Sequence, residues 1–191
     1  YLMANEAVEG LQYIKCVITS LDGETEVDIS NLIIHADYYE DILSPCSTMQ
    51  LVVMNTTSLY NFLPVRGGER LDYAIQTASG TFEIGYMYVF KVSNINPKDT
   101  NEFFTMHFVS REGLTNETTR CLRKYTGNLK PTVEKILKED LKTDRFLPEN
   151  IEQTANSYSF IGNTRKPFRV LTWLGTKANP IGSGGEGAGG V

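Results

Sequence analysis

From position 81 to position 92 the chain alternates with a period of two. Phe82, Ile84, Tyr86, Tyr88, Phe90 and Val92 share one face of an extended segment, while Glu83, Gly85 and Lys91 share the other. This pattern predicts a long, half-buried strand, and its neighbours follow suit. Residues 70–77 place Leu71, Tyr73 and Ile75 on one face, and the intervening Ala78-Ser79-Gly80 has hairpin chemistry. Asn94-Ile95-Asn96-Pro97-Lys98-Asp99 reads as a turn, after which residues 102–111 return with Phe104, Met106 and Phe108 inward. Three consecutive antiparallel strands result.

Upstream, residues 12–19 alternate through Ile14, Cys16 and Ile18. A turn at Asp22-Gly23 leads into a strand over 26–34, and residues 49–55 put Met49, Leu51 and Val53 on one side. Residues 56–62 suit a short helix, closed by Pro64 and the turn Arg66-Gly67-Gly68. About six strands in this half predict an all-β barrel or sandwich.

From Gly113 the period becomes helical. Asn116 suits an N-cap, Arg120, Arg123 and Lys124 load a last turn, and Gly127 stops the helix. Pro131 opens a second helix with the apolar stripe Val133, Ile136, Leu137 and Leu141. Its other face pairs Glu134 with Lys138. A third begins at Pro167, with Phe168, Leu171, Leu174 and Ala178 on one side and the single tryptophan, Trp173, nearby. The chain is therefore expected to be mainly β with α. It divides into an antiparallel β domain over 1–111, a helix-rich segment over 112–181 that opens a second domain, and a Gly-rich flexible loop or linker over 182–191.

Charge changes at the same place. Residues 1–110 carry 14 acidic and 5 basic side chains, a balance of -9, whereas residues 111–191 carry 9 and 13, a balance of +4. The total of -5 argues against a domain whose main task is to grip phosphate backbones. With 191 residues, 41% of them hydrophobic, wholesale disorder is excluded. No stretch approaches the ~18 apolar residues of a membrane span. Tyr1-Leu2-Met3-Ala4-Asn5-Glu6 lacks the basic region and apolar core of a signal peptide, so secretion is not expected. Cys16, Cys46 and Cys121 are odd in number, far apart and without CxxC spacing. They are read as small hydrophobes in a reducing compartment.

Catalytic signatures are missing. HExxH, CxxC, GxSxG, GxxxxGK[ST] and GxGxxG do not occur. His35 and His107 each sit inside a strand pattern, where a lone histidine is usually structural. In Tyr38-Tyr39-Glu40-Asp41 the two adjacent carboxylates would point to opposite faces of a strand, so a polar turn is the better reading than a glycosidase pair. Arg66-Gly67-Gly68-Glu69 looks like an anion-binding loop but precedes a strand, whereas a phosphate cradle needs a helix N-terminus after its glycines. No catalytic, cofactor-binding or metal-ligating residue is assigned, no cofactor is expected, and the chain is not expected to be an enzyme. The ten tyrosines and nine phenylalanines carry more weight, because aromatics on flat β surfaces are what protein interfaces use.

Several short stretches resemble a known family. They are Tyr39-Glu40-Asp41-Ile42-Leu43-Ser44-Pro45, Met49-Gln50-Leu51, Pro64-Val65-Arg66-Gly67-Gly68-Glu69-Arg70-Leu71 and Phe108-Val109-Ser110-Arg111-Glu112. Further on come Ser159-Phe160-Ile161-Gly162-Asn163, Lys166-Pro167-Phe168, and Trp173-Leu174 with Ala178. In this order, between Glu26 and Pro180, they are similar to the N-terminal part of baseplate central hub proteins of contractile-tailed, T-even-like bacteriophages. The resemblance implies a homotrimer whose tube-like β domains, two per subunit, mimic a six-subunit ring. Such a ring joins the tail tube, or a tube-initiator protein, to the central spike, and encloses a channel through which DNA passes without specific binding. It also implies a virion protein of the tail baseplate, assembled in the host cytoplasm, with no membrane insertion. Hubs of that family are longer than this chain, so a second tube domain is expected to continue past the Gly-rich tail. The competing reading is a β-rich binding module for a glycan or receptor. An enzyme is disfavoured, because acid, base and nucleophile candidates do not cluster.

Overall fold

The computed structural model describes residues 12–55, 65–77, 80–93 and 103–181. The helix expected at 56–62 with Pro64, the residues Ala78 and Ser79, the turn at 94–99 and the Gly-rich tail lie outside the described residues. The chain forms two compact units, Tyr1–Ser110 and Arg111–Val191.

Seven strands among the described residues build the first unit: β1 (Gln12–Thr19), β2 (Glu26–Asp28), β3 (Ile33–Tyr39), β4 (Thr48–Met54), β5 (Arg70–Thr77), β6 (Gly80–Ser93) and β7 (Phe103–Ser110). They form one antiparallel sheet in the order β2-β1-β5-β6-β7-β4-β3. Its two end strands follow one another in sequence, joined by residues 29–32 alone. In a flat sheet six strand spacings would separate them by roughly 29 Å, and four residues span at most about 17 Å. The sheet must therefore curl. It wraps one core in which Ile29, from that very connection, is buried with Cys16, Ile18, Leu51, Met106 and Phe108. The antiparallel β unit expected from the sequence is present, but β2 and β3 do not pair, so the sheet is open and is not a closed barrel.

The strand expected over 26–34 is two strands. Asp28 accepts a hydrogen bond from the Ser30 amide (2.9 Å), and the 3-10 turn Ser30–Leu32 redirects the chain before β3. An aspartate that satisfies the backbone two residues on competes with the sheet ladder for that amide.

The outward and inward faces of β6 also differ from the simple alternation. Pairing with β5 steps from Tyr73↔Gly85 to Ala74↔Glu83, leaving Ile84 as an extra residue next to Gly85 at φ +76°. Pairing with β7 steps from Val89↔Phe108 to Lys91↔His107, leaving Phe90 extra. Each bulge inverts the alternation once. Between them Met87 and Val89 enter the core, while Tyr86, Tyr88 and Phe90 face outward. A bulge at Ile14 in β1 likewise leaves Ile14 exposed while Tyr13 packs on the core, and one at Ile34 exposes that residue in β3.

The second unit holds α1 (Arg111–Thr118), β8 (Lys124–Tyr125), α2 (Leu129–Lys135), β9 (Phe160–Ile161) and α3 (Pro167–Gly175). Here the expected first helix is corrected. Asn116 is not an N-cap of its own helix but lies buried in the last turn of α1, and its side-chain oxygen accepts the Phe168 amide (2.9 Å) at the start of α3. The cap thus serves a helix far away in sequence, one whose own N-cap position, Lys166, has no capping side chain. Arg120 does donate to the Glu117 carbonyl in the last turn of α1 and to the Thr119 carbonyl just past it, but Arg123 lies beyond the helix and Lys124 pairs in β8 opposite Ile161. Asn128 caps α2, and the Glu134–Lys138 pair forms at 4.0 Å. A five-residue π turn, Ile136–Asp140, follows. Cys121, Tyr125, Leu129, Ile136, Val170 and Leu174 make the core of this unit, with Trp173 packed edge-on against Phe160 and Tyr158.

Candidate interaction surface

The residues with chemical potential do not converge. His35 on β3 is exposed and makes a 2.9 Å contact with Asp37 on the same face. His107 on β7 meets Ser93 Oγ at 2.7 Å, and burial, with the Lys91 charge second, holds its pKa below the ordinary histidine value. Glu40 and Asp41 are both exposed beyond the end of β3, and Asp41 accepts from the Leu43 amide (2.8 Å), so the pair is a turn element. Among the described residues no group of three or more His, Cys, Asp or Glu is placed to hold a metal ion. Cys16, Cys46 and Cys121 are not joined in disulfides, and burial pushes Cys16 up to about 12, far from a reactive thiolate.

The glycine loop before β5 does bind an anion, its own. Glu69 is 2% exposed, and its carboxylate accepts from the amides of Arg66 (2.7 Å) and Gly67 (3.0 Å). The cradle is filled from within, which accounts for its likeness to a phosphate loop. Glu69→Ala would strand two amides, at a cost of about 2 kcal/mol. Thermal unfolding followed by far-UV circular dichroism should show a clear drop in midpoint, and an unchanged midpoint would contradict this assignment.

What the β unit offers to a partner is surface. On the outward face Asp72 of β5 lies opposite Tyr86, is ion-paired to Lys15, and the Arg70 guanidinium stacks 4.5 Å from the Tyr86 ring centre. Phe90 and Phe103 are exposed as well. The tyrosines divide accordingly: Tyr73 belongs to the core, edge-on to Tyr13, and Tyr86 and Tyr88 face outward. At one end of the curl a cavity of about 280 Å³ is lined by Tyr13, Tyr38, Tyr73, Phe82 and Ile84. Strand β3, at the end of the sheet among the described residues, carries His35, Asp37 and Tyr39, and the loop after it raises Ile42 and Leu43 into solvent. Sequence reasoning missed that apolar pair. The available signal was two aliphatics set inside a turn otherwise made of Glu40, Asp41, Ser44 and Pro45.

This fold occurs in prophage tail proteins. The crystal structure of prophage tail protein gp18 from Listeria monocytogenes EGD-e matches with a TM-score of 0.55 at 12% identity, over 86% of this chain and 46% of that one. The crystal structure of the prophage MuSo2 43 kDa tail protein from Shewanella oneidensis matches with a TM-score of 0.54 at 10% identity, over 85% of this chain and 48% of that one. At these identities the likeness is one of fold. The chain spans about half the length of both. No protein-family model and no curated protein matches the sequence. No helix among the described residues is long and apolar enough to cross a membrane.

Proposed function

We propose that this chain is a structural virion protein of a phage tail, and more closely a baseplate hub subunit that assembles as a trimeric ring between the tail tube and the central spike. The observation that carries the reading is the fold shared with two tail proteins across both units of the chain. The sequence stretches that resemble contractile-tail hubs agree with it. The chain has no catalytic role in this reading and does its work in the virion baseplate after assembly in the host cytoplasm.

Physical features of the β unit support ring building. An open sheet whose seven-residue end strand β3 has no second neighbour among the described residues is an aggregation hazard in a solitary protein and an assembly device in a symmetric one. Asp22, Glu24, Glu26, Asp28, Glu40, Asp41 and Glu83 are all exposed, and of the basic residues Lys15 is paired and Arg70 is stacked on Tyr86, so these seven carboxylates outnumber the exposed Arg66 and Lys91. Such a surface repels phosphates, which suits a channel that DNA crosses without sticking.

Mass photometry or light scattering at micromolar concentration tests the reading. Trimers or larger rings are expected. A stable monomer that binds an oligosaccharide would replace it with the glycan-binding alternative.

A further inference from the structure

We draw no further inference here: the strongest candidate, the cavity of about 280 Å³ at one end of the curled sheet, where Tyr13 of β1 and Tyr73 of β5 face Tyr38 of β3, carries nothing, because nothing in the structure shows what covers it.

Discussion

Replacing Gly162 with alanine is expected to collapse the second unit. A Cβ on Gly162 would lie 2.4 Å from the Cys121 carbonyl oxygen, 2.6 Å from its Cβ and 2.7 Å from its carbonyl carbon. Two of these three atoms are backbone and cannot rotate away. They also sit in a tight crossing of hydrogen bonds: Gly162 donates to the Arg123 carbonyl (3.0 Å), Cys121 to that of Arg165 (2.9 Å), and Thr164 to that of Cys121 (3.1 Å). Relieving the clash would part β9 from β8 and disturb Phe160, which stacks on Tyr125 at 4.9 Å. Overpacking against backbone costs about 3 kcal/mol, or roughly 10–20 °C in the melting midpoint of a unit this small. The single tryptophan, Trp173, packs at 5.2 Å from Phe160, so its fluorescence reports on this unit. A variant whose Trp173 transition coincides with that of the unmodified protein would show that the close approach is not there.

Asp140→Ala should be the next most damaging change. Asp140 is 5% exposed, and its carboxylate accepts from the Tyr125 hydroxyl (2.8 Å) and the Arg123 guanidinium (2.7 Å), with the Cys121 thiol 3.8 Å away. Burial, followed by the bond to Asp140, drives the Tyr125 pKa far above the ordinary tyrosine range, so the phenol stays a donor at any physiological pH. Alanine would leave that buried hydroxyl without its acceptor. It would also leave Arg123 with Glu139 alone, at the more exposed end of the pair. The expected loss is about 3 kcal/mol, set by an unsatisfied buried donor more than by the ion pair itself, since Arg123 reaches solvent. Asp140→Asn keeps an acceptor for Tyr125 and should cost only about 1 kcal/mol. Urea unfolding followed by Trp173 fluorescence measures both, and equal losses for the two variants would contradict the division.

How far the fold could be read from the sequence follows from what a period can encode. Alternation in residues 49–55 and 70–77 announced β4 and β5, and the burial of Met49, Leu51, Val53, Leu71 and Tyr73 follows it. In β6 the same rule placed Ile84 and Val92 against the core, but Phe82 is exposed, and Tyr86, Tyr88 and Phe90 fall on the opposite face because of the bulges at Ile84 and Phe90. A bulge depends on which residue of the partner strand lies opposite, and that pairing is a property of the folded sheet. The same limit explains Asn116. Its preference for capping was legible, but which helix it would cap depended on the approach of Phe168 from 52 residues away. The extra turn after Asp28 was hidden by the apolar Ile29, which fits a strand pattern and is instead core. For the candidate surface, the aromatic content pointed to an interface, and only the register assigned Tyr86 and Phe90 to it. The glycine loop reads from the sequence as a tight turn, and its filling by the Glu69 carboxylate depends on how the loop folds.

The central claim is that this chain builds a ring in a phage tail, and electron cryo-microscopy of its assembled form tests it most directly. The account predicts copies related by a threefold axis around an open channel. Isolated monomers, or copies set on the tail exterior with no axial channel, would contradict it.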